Sequence, residues 1–326
     1  LETLARLLRF KAAWQVRHAE RKAERPRVAP DQIALDTSMT PPEIPDRRGG
    51  GLAALRQAHG IPALPAVPPD PVAGGPVTVA SYNVHKCVGT DRRFDPARIA
   101  RVIGEIAPDI IAIQEADRRF GRRTGLLDTA ALREAGLTLL PISRLPDGHG
   151  WHGNALAVRA GTPLSVQRLA LPGAEPRGAV IVELELPAGR LRVVAAHFGL
   201  LRRCRTRQGA AILEAIARGE AMPTLMMGDL NEWRPGRRSS LRVLEGFFGP
   251  AAFGPASFPA RMPVFALDRI LGWPQGVVRE VRVHDTPLAR QASDHLPLKA
   301  KLTLGAPAAA APGPQGPAAS GIQAAA

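Results

Sequence analysis

Eight polar residues in this chain stand where apolar runs end or break: Asn83, Glu115, His197, Asp229, Asn231, Asp268, Asp294 and His295. They are carboxylates, amides and imidazoles, with no cysteine among them. In Thr224-Leu225-Met226-Met227-Gly228-Asp229-Leu230-Asn231-Glu232-Trp233, a short apolar run reads as a buried strand, and Gly228 permits a sharp exit from it. Asp229 and Asn231, one position apart, can then face the same crevice, a pair suited to holding a water and a phosphoryl oxygen. Singly, each residue has an ordinary reading. Asn83 and Asn231 are turn formers, His197 fits a satisfied core histidine, and Asp268 fits an ion pair with Arg269. Jointly, several carboxylates and amides in one place would repel each other without a cation. Oxygen donors of this kind suit Mg²⁺ or Mn²⁺ rather than zinc.

The elements that must position them follow from pattern. Val77 to Asn83 alternates as a strand. Asp95-Pro96 supplies an N-cap and a first-turn proline for a helix whose Ile99, Val102, Ile103 and Ile106 share a face, stopped by Pro108. Asp109 to Glu115 is a buried strand, so the opening is βαβ-like. Further strands are expected at 154–158, at 179–186 and 191–196 as a hairpin, at 264–271 with Asp268 interrupting it, at 277–283 and at 298–304. A helix is expected from about Thr206 to Arg218, closed by Gly219.

The chain has 326 residues, enough for one large domain or two ordinary ones. Residues 1–76 do not read as core: Leu1 to about Arg25 patterns as a basic amphipathic helix, and a Pro/Gly-rich linker follows. Residues 306–326 are mostly Ala, Pro and Gly with no charge, the composition of a disordered tail. No apolar run approaches the ~18 residues of a membrane span. Only Cys87 and Cys204 occur, so neither a disulfide framework nor a cysteine-rich zinc site is expected. The formal charge is +14, most of it within 77–305, which points to an anionic partner.

The ordered set Ser81-Tyr82-Asn83, Ile113-Gln114-Glu115, His197, Gly228-Asp229-Leu230-Asn231, Leu267-Asp268 and Ser293-Asp294-His295 resembles the endonuclease/exonuclease/phosphatase superfamily over about residues 77–304. The resemblance implies an α/β fold, a four-layer sandwich of two packed mixed β-sheets flanked by helices, in one catalytic domain at 77–305. It implies metal ligation by Glu115, Asn83 and Asp294. Asp229 would position or deprotonate the attacking water, Asn231 would hold a phosphoryl oxygen, and His295, oriented by Asp268, would donate to the scissile phosphate. His197 would bind that phosphate from the other side. One departure is the active-site Tyr of apurinic endonucleases, since the single Tyr here is Tyr82 beside Asn83. Asn154, His152 or an Arg are the residues available for its place.

Loops that follow motif residues carry Arg118, Arg119, Arg122 and Arg123, then Arg202, Arg203, Arg205 and Arg207, then Arg234, Arg237 and Arg238. On this fold all three loops are expected on the catalytic face, with Arg118, Arg122, Arg203 and Asn154 as substrate contacts. The expected function is Mg²⁺-dependent hydrolysis of a phosphoric ester by direct attack of water, with Mn²⁺ as an alternative ion. A nuclease-type phosphodiesterase acting on nucleic acid comes first. A phospholipid or sphingolipid phosphodiesterase, or an inositol-phosphate-type phosphatase, at a membrane surface comes second. A non-catalytic binding module comes last, because the motifs are intact. The expected location is cytoplasmic; the basic amino-terminal segment reads first as a solvated helix and becomes a peripheral membrane contact only on the second reading. No protein partner can be inferred.

Overall fold

The computed structural model describes residues 77–250 and 254–304. The amino-terminal helix, the linker and the charge-free tail expected from sequence lie outside the described residues. Among the described residues, eleven strands form two mixed sheets. The first contains β1 (Val77–Asn83), β2 (Ile110–Gln114), β3 (Thr138–Leu139), β4 (Ala155–Val158), β10 (Val278–Val283) and β11 (Leu298–Leu302), in the order β10-β11-β1-β2-β4-β3. The second contains β5 (Thr162–Leu171), β6 (Arg177–Leu186), β7 (Gly189–His197), β8 (Thr224–Asp229) and β9 (Asp268–Trp273), in sequence order. Each sheet has one parallel pair, β1 with β2 and β7 with β8, and the remaining pairs are antiparallel.

The two-residue period of a strand decides which side chains meet between the sheets. Val79, Ile110, Ala112, Leu156 and Val158 of the first sheet pack there with Val180, Val182, Val193, Ala195, Leu225, Met227 and Ile270 of the second. The opposite faces carry helices. Ala80, Tyr82, Ile111 and Ile113 bury against α1 (Pro96–Ile106), α2 (Thr129–Glu134) and α5 (Pro287–Ala292). Ile181, Val194, Ala196 and Met226 bury against α3 (Arg202–Ala217) and α4 (Arg242–Phe248). The result is helices, sheet, sheet, helices, the four-layer sandwich expected. At roughly 1.5–3 kcal/mol per fully buried large aliphatic side chain, the inter-sheet core is a principal source of stability.

Local signals explain most of the element ends. Asp95 caps α1 by accepting from Arg98 N at 2.9 Å, Pro96 takes the first turn, and Ala107 leaves in the left-handed conformation. The β6–β7 hairpin turns in two residues, with Leu186 opposite Gly189. α3 starts at Arg202, four residues before the expected start, because Leu201 already has extended backbone and the chain turns there. β9 starts at Asp268 rather than at Val264. Residues before it pair locally instead, Phe265 bridging to Phe258, so Asp268 heads a strand and does not interrupt one. No helix among the described residues is long and apolar enough to cross a membrane.

Candidate active site

Continuing the inward face of each strand one pleat beyond the apolar core places polar groups together. On β1 the inward series Val77, Val79, Ser81 ends at Asn83; on β4, Val158 and Leu156 lead back to Asn154. On β7, Leu191, Val193 and Ala195 lead to His197, and on β8, Leu225 and Met227 lead to Asp229. On β9, Ile270 leads back to Asp268. In register, His197 lies opposite Asp229, and Asp229 opposite Asp268. The site is the polar end of the inter-sheet core.

Gly228 has a more specific role than a turn residue. It lies inside β8 at φ 153°, and a Cβ there would stand 1.8 Å from the Ala196 carbonyl oxygen of the neighbouring strand. Only glycine lets β7 and β8 approach closely enough to set His197 beside Asp229.

Asp229 is the hub. Its Oδ2 accepts from Asn83 Nδ2 at 3.0 Å and lies 3.4 Å from His197 Nε2 and 3.8 Å from His295 Nε2. Its Oδ1 accepts from the Asn231 backbone N–H at 2.9 Å. The carboxylate is buried, with 2% of the residue exposed. His295 Nδ1 bonds Asp268 Oδ2 at 2.9 Å, and Ser257 Oγ donates to the same oxygen at 2.5 Å. Burial works against a charge on His295, yet Asp268 and Asp229 outweigh it and push its pKa up to about 10. The imidazole is therefore cationic at neutral pH, with a proton on each nitrogen.

His197 is in the opposite state. Burial first, then the nearby Arg177 and Arg119, hold its pKa well below the ordinary value. Its Nε2 lies 2.8 Å from Arg177 Nη1 and so accepts from the guanidinium. The cation on that side of the cleft is Arg177, a residue that sequence reasoning missed. Arg177 Nη2 pairs with Glu175 Oε2 at 2.9 Å, and Arg119 Nη2 reaches the same oxygen at 3.0 Å. The other Glu175 oxygen accepts from the Leu200 N–H at 2.8 Å. Glu175 thus fixes two arginines at once. Arg177 was legible only as a charged residue opening an apolar strand.

Glu115 follows β2. With Ile111 and Ile113 on the helix side, alternation alone would send it there too. Its backbone at φ 58° turns it instead into a cleft shared with Lys86, Arg119, Arg177 and His197. The Lys86 ammonium makes a short ion pair with Glu115 Oε2. Burial alone would push the Glu115 pKa up; Lys86 reverses this and holds it low.

The other expected residues divide. Arg118 lines the cleft, with Arg119 and Arg123. Arg122 does not. It is 88% exposed and lies 3.7 Å from Asp147, because its loop folds back through the Asp117–Gly125 bridge. Arg203 is exposed on the first turn of α3, outside the lining of the cleft, while Arg205 on the next turn faces inward. Arg205 is fully buried and pairs with Glu232 at 3.1 Å. Of the three Arg loops, the first alone contributes to the lining of this cleft. Asn154 spends both amide hydrogens on the Trp151 and Gly178 carbonyls, at 3.1 and 2.9 Å, leaving only its buried Oδ1 without a partner. Asn231 spends one on the Phe198 carbonyl at 3.0 Å, which leaves the second.

The candidate metal donors are all oxygens. Glu115 faces the cleft, Asp294 has a buried Oδ1 with no hydrogen-bond partner, and Asn83 Oδ1 accepts from the His85 N–H at 3.1 Å. Among the described residues no three His, Cys, Asp or Glu side chains converge closely enough to hold an ion by themselves. Oxygen-only donors are the type Mg²⁺ takes, usually one or two carboxylates together with water and substrate phosphate.

The chain has counterparts among known proteins in sequence and in fold. The uncharacterized protein YbhP of Escherichia coli (strain K12) is 28% identical over 255 residues, covering 69% of this chain and 96% of its own length. The crystal structure of an endonuclease/exonuclease/phosphatase from Bacteroides vulgatus superposes with a TM-score of 0.54 at 18% identity, covering 71% of this chain and 100% of that one. The mannosyl-6-phosphatase Bt3783 of Bacteroides thetaiotaomicron superposes with a TM-score of 0.51 at 18% identity, covering 69% and 99%. Those two likenesses show the fold. The Endonuclease/Exonuclease/phosphatase family itself matches residues 80–295, from the first strand through His295, so the chain belongs to that family, whose members hydrolyse phosphoesters.

Proposed function

We propose that residues 77–305 form a Mg²⁺-dependent phosphodiesterase of nuclease type that hydrolyses its substrate by direct attack of water. The observation that carries this reading is the convergence of Asn83 Nδ2, the Asn231 N–H and the His295 imidazole on one buried carboxylate, Asp229. A base for water must be held within hydrogen-bond reach of the reacting centre and kept from wandering. Asn83 Nδ2 and the Asn231 N–H each take one Asp229 oxygen, which fixes the carboxylate plane.

His295 enters the reaction charged. Asp268 holds its Nδ1, so Nε2–H is the hydrogen available to a phosphoryl oxygen. A fixed donor aimed at developing charge is worth several kcal/mol in a site that excludes water. Arg177 supplies a second donor from the opposite wall, backed by Glu175. Glu115, Asn83 and Asp294 are the residues that would hold the metal ion. When bound, the ion supplies charge neutralisation that a phosphodiester anion otherwise denies to an attacking oxygen. The remaining second N–H of Asn231 is the group proposed for a phosphoryl oxygen.

The cleft favours a second reading. Lys86, Arg118, Arg119, Arg123 and Arg177 line one open, strongly cationic cleft beside Glu115, and that concentration of positive charge suits a small phosphate ester such as a sugar or inositol phosphate. The test is one panel on the full chain at fixed Mg²⁺: plasmid DNA, single-stranded DNA, RNA, sphingomyelin, anionic phospholipid, inositol phosphates and hexose 6-phosphates. Turnover on nucleic acid supports the first reading. Turnover confined to small monoesters supports the second, and inactivity on every member with Mg²⁺ and Mn²⁺ contradicts both.

A further inference from the structure

The proposed mechanism leaves Lys86 unused, although its ammonium stands on the carboxylate proposed as the main metal ligand. Its placement is built. His85, Lys86 and Cys87 are three successive non-glycine residues in left-handed backbone, at φ 46°, 57° and 58°, and Glu115 across from them is a fourth at 58°. Such backbone is unfavourable for an L-residue and persists where its surroundings enforce it, most often at functional sites. Here the turn is enforced from several directions. Asn83 Oδ1 accepts from His85 N at 3.1 Å, His85 Nδ1 meets the Val88 carbonyl at 3.0 Å, and the buried Cys87 donates its N–H to Val84 O at 2.8 Å. What two strained segments accomplish together is to bring an ammonium onto the Glu115 carboxylate.

That carboxylate is half-buried, its side chain 19% exposed, and a partly desolvated charge is costly to leave without a partner. A lysine suits a temporary partner: a point charge on a flexible stem, with no planar fork to lock it in place. Arg118, Arg119, Arg123 and Arg177 line the same cleft and repel an ammonium released there, unless an anion has entered.

We propose that Lys86 is an exchangeable counter-ion of Glu115. It neutralises the carboxylate while no divalent cation is bound, cedes it when one binds, and then offers its ammonium to a phosphoryl oxygen of the substrate. This inference rests on the reading of Glu115 as a metal ligand. Lys86 is then both a determinant of metal affinity and a substrate contact.

Calorimetric titration of the full chain with Mn²⁺, without substrate, tests it. Competition for one carboxylate is a coupling free energy, so Lys86→Met should tighten Mn²⁺ binding by about five- to tenfold. Lys86→Arg, which can hold Glu115 through two hydrogen bonds, should weaken it about as much. With Mn²⁺ saturating, Lys86→Met should weaken binding of inorganic phosphate by about fivefold. Mn²⁺ affinity within twofold of the parent in Lys86→Met would overturn the proposal, and if that variant fails to fold, the same result in Lys86→Arg would do so. Unchanged phosphate affinity would overturn the substrate contact. Glu115→Gln separates the two levels. If it abolishes Mn²⁺ binding while the Lys86 variants change nothing, the exchange fails and the metal reading stands. If it binds Mn²⁺ like the parent, the metal reading fails and the exchange with it.

Discussion

Asp229 and Asp268 are direct cross-strand partners in the antiparallel β8–β9 pair, both buried, and His295 stands between them. Like charges opposite each other in a sheet are unfavourable. Here the imidazole hydrogen-bonds Asp268 through Nδ1 at 2.9 Å, while Nε2 lies 3.8 Å from Asp229, near enough for charge attraction but with its hydrogen left free for substrate. The register of one strand pair thus turns a repulsion into a proton-holding triad, and His295 carries a charge that burial would otherwise remove.

Because these groups act as a unit, their losses should not multiply. His295→Ala and Asp268→Asn should each lower kcat by about 10²- to 10⁴-fold, the usual scale for positioned acid–base groups. The double variant should be within about threefold of the worse single one. Steady-state kinetics of the three variants check this, and fully multiplicative losses would separate Asp268 from His295.

Glu115→Gln keeps the shape of the side chain and removes the charge proposed for the metal. Metal-dependent turnover should fall by at least about 10²-fold. The thermal unfolding midpoint should stay close to that of the parent, since the residue lies outside the apolar core. Parent-like activity at saturating Mg²⁺ would exclude Glu115 as the ligand.

The fold was legible because strand alternation and helix caps are local. Val77–Asn83, Pro96–Ile106 and the hairpin read at 179–196, which extends to 177–197, needed little beyond their own pattern. β5 escaped because it is an edge strand with Pro163 near its start, partly exposed and bulged between Pro163 and Ser165. The site was legible where it continues an inward-facing series, as with His197 and Asp229. It was not legible where tertiary structure re-aims a residue. Glu115 depends on left-handed backbone to reach the cleft, Arg177 on Glu175 and His197, and Lys86 on three strained residues. The arginines misled for the opposite reason: a charged residue in a loop does not reveal whether it meets solvent, as Arg122 does, or a buried carboxylate, as Arg205 does.

That distinction among arginines can be measured. Arg118→Ala and Arg123→Ala should weaken binding of an anionic substrate and each lower the slope of log affinity against log salt by about 0.7–0.9 for a polyanion. Arg122→Ala and Arg203→Ala should leave both within error. Equal effects from all four would mean that the cleft does not define where substrate binds.

The Arg205–Glu232 pair is fully buried at both ends. Glu232 also accepts from the Ser240 N–H at 2.8 Å, from the Ser240 hydroxyl at 2.6 Å and from the Arg234 N–H at 2.9 Å. Glu232→Ala should cost about 3–5 kcal/mol in denaturant unfolding, because Arg205 is left as an uncompensated buried charge. Burial would raise the Glu232 pKa, but the Ser240 and Arg234 hydrogen bonds and the Arg205 charge hold it below its ordinary value. A depressed carboxylate stabilises the fold above its unfolded pKa of about 4.3, and this contribution is lost as pH falls below that. Glu232→Gln should therefore flatten the acid limb of the stability profile.

The central claim is that Asp229 activates the attacking water, and Asp229→Asn tests it with almost no change in shape. On whichever substrate the panel identifies, at saturating Mg²⁺, kcat should fall by about 10²- to 10⁴-fold. KM should stay within about threefold, as expected when a group acts on the transition state rather than on binding. A kcat within threefold of the parent in a folded Asp229→Asn variant would contradict the account.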